Sequence, residues 1–147
     1  LAQKDPAHAA LYADNAKAAR RELHSLSDSI AAKLAVVRDR PFLVFHDAYQ
    51  YFEEEFGLAA AGAVSVSDAS APGAKRLREL RERVSEGDIR CIFREGQFSP
   101  RLAEVVAEGT GARLGMLDPI GSTLEFGPDN YDGLMLGLAG GFRSCLE

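Results

Sequence analysis

The sequence has the size and composition of one globular domain. Its 147 residues match a usual domain length, and a balance of 46% hydrophobic and 27% charged residues excludes an intrinsically disordered chain. It carries 17 Lys and Arg against 22 Asp and Glu, a net charge of −5, and this acidic balance excludes nucleic acid as a general partner. No apolar run approaches the ~18–20 residues needed to cross a bilayer, so we expect no direct membrane insertion.

Residues 1–40 are predicted to form one long helix. Asp5 and Pro6 are a helix-start pair, and no Gly or Pro interrupts the chain from Ala7 to Arg38. In the second half, large apolar residues recur at helical spacing: Leu23, Leu26, Ile30, Leu34 and Val37. The first half is rich in alanine. A helix of about 50 Å is longer than a domain of this size is wide, so we expect its first half to extend beyond the core.

Residues 41–147 alternate between strand-like and helix-like segments. The apolar runs that predict strands begin near Phe42, Ala61, Ile89 and Arg113. The second of these runs extends to Val66, and each run is followed by an amphipathic helical segment, a rhythm typical of right-handed βαβ units. The predicted fold is therefore α/β: a four-stranded parallel sheet flanked by helices and preceded by one long N-terminal helix.

Polar residues that can bind a metal follow three of the four predicted strands: His46, Glu95 and Asp118. Because ligands of an open parallel sheet bind beyond the carboxyl ends of its strands, we expect these side chains to converge at that edge. Imidazole nitrogen and carboxylate oxygen are suitable ligands for zinc or manganese. Each residue also has an ordinary structural interpretation: a backbone partner for His46, an arginine partner for Glu95 and a turn for Asp118.

Motifs for other chemistries are absent from the sequence. It contains no Gly-x-Ser-x-Gly nucleophile and no Gly-rich phosphate loop. His8 and His24 are expected on solvated faces of the long helix, and Tyr49 is interpreted as a packing residue. A metal-dependent hydrolase that uses His46 and Asp118 is an alternative, and it would need a third protein ligand, an open water position and a general base.

The cysteine content allows two interpretations. Cys91 and Cys145 are either two buried thiols in a reducing compartment or one disulfide in an oxidising compartment. A bond that closes so long a loop would stabilise the fold by roughly 4 kcal/mol on the chain-entropy model. The number of cysteines alone leaves both interpretations open.

Several segments together resemble the zinc-specific solute-binding proteins of bacterial ABC importers. They are FHDAYQYFE at 45–53, PGAKRL at 72–77, CIFREGQF at 91–98, LDPIG at 117–121 and SCL at 144–146. Members of that family have two α/β domains joined by one long rigid helix, with the metal in the cleft between the domains. The resemblance implies that residues 1–40 are the interdomain linking helix, that residues 41–147 are the C-terminal domain, and that the N-terminal domain lies outside this chain.

The resemblance also implies a function and a set of site residues. His46 matches the zinc ligand of the C-terminal domain, Asp118 an aspartate that reaches the metal or its neighbourhood, and Glu95 a residue behind the ligands. Histidine at position 46 favours zinc, since manganese-binding relatives usually carry Glu there, and such a relative is a further alternative. Cys91 and Cys145 match the family's disulfide, which implies the periplasm. The implied function is capture of Zn²⁺, the transported ligand, and its delivery to the membrane permease of an ABC importer, without catalysis.

Overall fold

The computed structural model describes residues 1–65 and 72–147. A short 3-10 turn at Pro6–His8 leads into a long helix, after which strands and helices alternate. The helices are α1 (Ala9–Leu34), α2 (Gln50–Phe56), α3 (Ala74–Glu86), α4 (Arg101–Ala107) and α5 (Asn130–Leu146). The strands are β1 (Phe42–Val44), β2 (Ala60–Ala63), β3 (Cys91–Glu95) and β4 (Arg113–Leu117).

The four strands form one parallel sheet in the order β2-β1-β3-β4. This arrangement confirms the predicted α/β fold. The chain moves outward from β1 to β2, then crosses to the other side of β1 to form β3, and continues in that direction to β4. The strand order therefore reverses between β1 and β3, and in an open parallel sheet the crevice for a ligand lies beyond the carboxyl ends of such a pair.

The sheet is covered on both faces because the central strand β1 buries alternate side chains on opposite sides. Phe42 and Val44 belong to a cluster with α1, α2 and α5, whereas Leu43 belongs to a cluster with α3 and α4. In the first cluster the ring of Phe142 lies 5.2 Å from that of Phe42 and 4.9 Å from that of Phe93, both in edge-on contacts. These buried contacts pack α5 directly against β1 and β3.

Helix α1 is long, as predicted, but it ends at Leu34 rather than near Arg38. The chain after it tightens into turns, in which the Val37 amide donates to the Leu34 carbonyl (3.0 Å). Val37 is still buried, so the apolar pattern predicted its burial correctly and its conformation wrongly. In α1 itself only Ile30 and Leu34 are buried. The first half of the helix extends beyond the core, in agreement with its alanine-rich composition.

Strand β3 lies later in the chain than the apolar run suggests. It spans Cys91–Glu95 instead of beginning at Ile89, so Glu95 is its last residue and pairs with Leu117 of β4. The apolar pattern predicted a strand over residues 89–93 that ends near Arg94 and Glu95, and the structure includes both of these polar residues in the strand. Strand β2 spans four residues, and the predicted end of that strand, Val66, lies outside the described residues.

A disulfide between Cys91 and Cys145 joins β3 to α5, with a Cα–Cα distance of 5.9 Å. Both residues are buried, at 0% and 6% exposure, so the disulfide interpretation of the two cysteines is confirmed. The close packing around the bond requires Gly115 in β4. A Cβ atom there would lie 2.6 Å from the ring of Phe93 and 3.0 Å from the Cβ of Cys145, which leaves no room for a side chain.

Candidate metal centre

His46 lies in a turn that follows β1. The Ala48 amide donates to the His46 carbonyl (2.9 Å), and the Gln50 amide group donates to Asp47 Oδ2 (2.6 Å). Because this turn occupies the residues before Gln50, α2 begins at Gln50 and its N-cap residue is Tyr49. The turn carries the His46 side chain past the end of β1, toward the end of β3.

The side chains of His46 and Glu95 form a direct pair at the point where the strand order reverses. His46 Nδ1 lies 2.7 Å from Glu95 Oε1. The strands behind them are hydrogen-bonded neighbours, with Phe42 opposite Cys91, so the pair depends on the sheet and not on loops alone. In the described part of the chain, His46 Nε2 has no partner. A neutral imidazole whose Nδ1–H is held by a carboxylate presents Nε2 as a free acceptor.

Glu95 is a buried carboxylate whose two oxygens are both hydrogen-bonded. The residue is only 2% exposed, and Gln97 Nε2 donates to its Oε2 (2.8 Å). Burial raises the pKa of Glu95 above its ordinary value, because desolvation disfavours the charged form more strongly than the adjacent His46 favours it. The sequence left an arginine partner open for Glu95. In the structure its carboxylate pairs instead with His46 and accepts a hydrogen bond from Gln97.

Aromatic rings restrict the orientation of the His46 side chain. Phe98 meets it edge-on, with the ring centroids 5.6 Å apart, and Phe98 itself stacks on Phe45 at 4.7 Å. The Tyr49 ring lies 6.5 Å from His46 on a tilted plane. The His46 side chain remains 23% exposed. It is thus held in place by its neighbours and still accessible from the edge of the sheet.

Asp118 follows β4 and holds its own loop together. Its Oδ1 accepts a hydrogen bond from the Ile120 amide (3.3 Å), and its Oδ2 accepts from the Ser122 hydroxyl (2.9 Å) and the Thr123 amide (3.3 Å). Partial burial acts to raise the pKa of Asp118, but the hydrogen bonds together outweigh it and lower the pKa below the ordinary value. The turn considered from the sequence is present, and the carboxylate lies at the same edge of the sheet as His46.

Tyr49 has a buried hydroxyl that lacks a hydrogen-bond partner in the described part of the chain. The residue is 2% exposed and lies directly before α2. Burial raises the pKa of Tyr49 far above its ordinary value, and the charge of Glu95, a hydrogen-bond interaction with Glu95 and the charge of Asp118 raise it further. The interpretation of Tyr49 as a packing residue is correct for the ring but leaves its hydroxyl without an explanation.

The candidate residues do not form a complete metal site by themselves. In residues 1–65 and 72–147, no group of three or more His, Cys, Asp or Glu side chains is arranged to hold a metal ion. The other two histidines are remote from the pair: His8 Nδ1 contacts Asp5 Oδ2 at 2.8 Å, and His24 is exposed on α1. The sheet edge thus offers one preformed His–Glu pair and one separate aspartate.

Gln97 and Phe98 were not predicted as site residues, yet Gln97 contacts Glu95 and Phe98 contacts His46. Both lie within three residues of Glu95, in the loop that leaves the carboxyl end of β3. Loops at this edge carry the binding residues of open parallel sheets, so their position was a usable signal. Tyr49 gave a weaker signal, because its spacing with Phe52 and Phe56 is also that of an ordinary buried helix face.

A comparison with protein families identifies the chain. The family model described as "Zinc-uptake complex component A periplasmic" (ZnuA) matches residues 1–145. The chain belongs to this family. The match covers α1 as well as the α/β domain, and it includes His46, Glu95, Asp118 and both cysteines.

The curated relative ZnuA of Brucella suis, a high-affinity zinc uptake system protein, is 47% identical over 147 residues, which is all of this chain and 44% of that relative. The crystal structure of a ZnuA superposes with a TM-score of 0.81 at 25% identity, over 99% of this chain and 52% of that one. The Mn²⁺ complex of FpvC from Pseudomonas aeruginosa gives 0.79 at 25% identity, over 99% and 53%. The chain thus spans about half the length of these proteins. In the described ranges, no helix is long and apolar enough to cross a membrane.

Proposed function

We propose that the chain is the C-terminal part of a periplasmic protein that captures Zn²⁺ and delivers it to the membrane permease of an ABC importer. The observation that carries the proposal is the His46–Glu95 pair, 2.7 Å apart at the reversal point of the sheet, in a member of the zinc-uptake A-component family. The zinc ion is the cargo. Such a protein binds and releases its ligand without breaking a bond, so no catalytic residue is proposed.

His46 is proposed to bind the ion through Nε2. Metal-binding histidines almost always donate their other ring N–H to a carboxylate or a carbonyl, which fixes the tautomer and makes the ligating nitrogen more basic. Glu95 is in the position to accept that hydrogen bond from Nδ1. Glu95 therefore acts behind the ligand, and it orients the imidazole without touching the ion.

Asp118 is proposed to act at the rim of the site. It has the chemistry of a zinc ligand, but its oxygens already accept three hydrogen bonds from its own loop. Direct binding would require at least one of these bonds to be given up, whereas binding through a water molecule would not. We therefore assign Asp118 a smaller share of the affinity than His46.

Residues 1–40 are proposed to link this domain to a second one, and residues 41–147 to be the C-terminal domain. Two features support this division: none of the residues in the first half of α1 is buried, and the His46–Glu95 pair supplies fewer ligands than the three or four of a tight zinc site. The remaining ligands would come from the other wall of an interdomain cleft. The curated relatives, about twice as long as this chain, have room for such a wall.

The proposed location is the periplasm. A bonded, buried Cys91–Cys145 pair is typical of oxidising compartments, and the matched family is described as periplasmic. Manganese is the second candidate ion, because one structural neighbour was solved with Mn²⁺. The imidazole ligand favours zinc over manganese, since manganese prefers carboxylate and water oxygens.

The test is competitive titration of the full-length protein with a zinc chelator, repeated with Mn²⁺. His46→Ala removes a proposed ligand, and we expect zinc affinity to fall by more than about 100-fold, since even residues behind the ligands typically contribute 10- to 100-fold. His24→Ala, on the exposed face of α1, is the matched control and should leave the affinity unchanged. An unchanged affinity in His46→Ala would show that the site assignment is wrong, and tighter binding of Mn²⁺ than of Zn²⁺ would show that the cargo is wrong.

A further inference from the structure

We infer that Tyr49 is a positioning residue of the metal centre. Its hydroxyl donates a hydrogen bond to Glu95 when the ion is bound, and this bond fixes the carboxylate that orients His46. The inference rests on the proposed function of His46 as a zinc ligand.

The first observation is the unpaired hydroxyl itself. Tyr49 is 98% buried, and its hydroxyl has no hydrogen-bond partner in the described ranges 1–65 and 72–147. Buried polar groups are almost always paired, and an unpaired one in a folded protein needs an explanation. Its ring meets Phe142 edge-on with the centroids 5.9 Å apart, so the core holds the side chain in place. A rigid, buried donor beside a binding site is suited to complete a hydrogen bond when the ion binds.

The second observation identifies the acceptor. The carboxylates whose charges act on the Tyr49 hydroxyl belong to Glu95 and Asp118; the charge of Glu95 has the larger effect, and only Glu95 also acts on the hydroxyl through a hydrogen-bond interaction, one that falls short of full hydrogen-bond geometry. Asp118 accepts three hydrogen bonds from its own loop. Glu95 accepts two, one from His46 and one from Gln97, and a carboxylate has room for about four. Glu95 is therefore the acceptor with free capacity.

The third step links this bond to the metal. An ion bound at His46 Nε2 draws electron density from the ring, which makes Nδ1–H a stronger donor and draws the Glu95 carboxylate toward it. A third hydrogen bond to that carboxylate holds it against rotation, so the imidazole stays aligned with the ion. Partners of this kind, which touch the metal only through another residue, commonly change metal affinity by an order of magnitude or more.

The experiment is a double-mutant cycle on zinc affinity in the full-length protein. Tyr49→Phe keeps the ring and removes one oxygen, and we expect it to weaken zinc binding about tenfold. Glu95→Leu removes every acceptor atom of the carboxylate. In the Glu95→Leu background, Tyr49→Phe should have no further effect, because the two residues act as one unit. Tyr12→Phe is the matched control: it also removes a hydroxyl, one that donates to Asp5 Oδ2 (2.7 Å) far from the site, and it should not change zinc affinity.

Two results would overturn the inference. They are an unchanged affinity in Tyr49→Phe, or an equal loss from Tyr49→Phe with and without Glu95, which would indicate packing alone. Thermal unfolding of each metal-free variant verifies that the comparison is made on folded protein. His46→Ala, measured in parallel, separates the two proposals: if it too leaves the affinity unchanged, the zinc site itself is wrong, whereas a large loss there beside an unchanged Tyr49→Phe contradicts only the role of Tyr49.

Discussion

Glu95 and Asp118 lie at the carboxyl ends of adjacent strands, yet the fold uses the two carboxylates in opposite ways. Glu95 is buried and its oxygens hold side chains from other parts of the site, His46 and Gln97. Asp118 is partly exposed and its oxygens hold the loop that follows it. The pKa of Glu95 is raised by burial, whereas loop hydrogen bonds outweigh partial burial and lower the pKa of Asp118.

In the proposed site, the His46–Glu95 pair is therefore preorganised for binding, whereas Asp118 is engaged in hydrogen bonds with its own loop. Glu95 already orients His46 in the structure, so little ordering would remain to be done if His46 binds the ion as proposed. Asp118 would have to give up a hydrogen bond with its own loop for a direct contact to the ion. Preorganised groups contribute more of their interaction free energy to binding, and the comparison therefore predicts a ranking of substitutions at the two positions.

Of the two carboxylate positions, Glu95 is expected to have the larger effect. Glu95→Gln keeps the size of the side chain but weakens its hydrogen bond with His46 Nδ1, and we expect zinc affinity to fall by about 10- to 100-fold. Chelator competition on the full-length protein measures it, and Glu54→Gln, at an exposed position of α2, is the matched control. If Glu95→Gln and Glu54→Gln bind zinc equally well, the hydrogen bond between Glu95 and His46 does not contribute to zinc affinity.

A smaller effect is expected at Asp118. Asp118→Ala should weaken zinc binding by about tenfold, less than Glu95→Gln, because this carboxylate acts at the rim and also serves its own loop. The same titration measures it. Ser122→Ala removes one of the loop hydrogen bonds but keeps the carboxylate, and it should leave zinc affinity nearly unchanged. If Asp118→Ala loses as much zinc affinity as His46→Ala, Asp118 is a principal ligand and the expected order of Glu95 and Asp118 is wrong.

The smallest effect concerns stability and pH in the metal-free protein. The folded-state pKa of Asp118 lies below its ordinary value of 3.8, so its loop bonds add stability above that value, and this stability is lost as the pH falls through the folded-state pKa. Asp118→Asn should therefore lower the melting temperature near neutral pH by a few degrees at most, and the gap to the unmodified protein should narrow in acid. Thermal unfolding across the acid range measures it, and a gap independent of pH would contradict the loop role of the ionised carboxylate.

The sequence was enough to place His46, Glu95 and Asp118 at one edge of the sheet, because each follows or ends an apolar run and parallel strands point the same way. It was not enough to pair His46 with Glu95. That pair requires β1 and β3 to be neighbours, and the strand order β2-β1-β3-β4 is a property of the packed chain. It also requires β3 to continue through Glu95, two residues beyond its apolar part.

The same limit explains the residues that were misjudged. The spacing of Tyr49 with the phenylalanines of α2 predicted a buried ring, and a hydropathy pattern holds no information on whether a buried hydroxyl meets a partner. The turn at Asp118 was among the structural interpretations of the sequence, but the sequence did not identify Ser122 and Thr123 as its hydrogen-bond partners. The end of α1 at Leu34 was missed because the pattern continues to Val37, which is buried in a turn.

The uneven burial of α1 has a mechanical consequence. The domain holds this helix only toward its C-terminal end, where Leu26 packs against the core and Ile30 and Leu34 are buried, while residues 9–25 extend about 25 Å beyond it. A tilt of about 5° at the buried end would therefore displace the far end by about 2 Å. In the proposed two-domain arrangement, small changes of packing beside the sheet would therefore be amplified along the helix into larger displacements of the second domain.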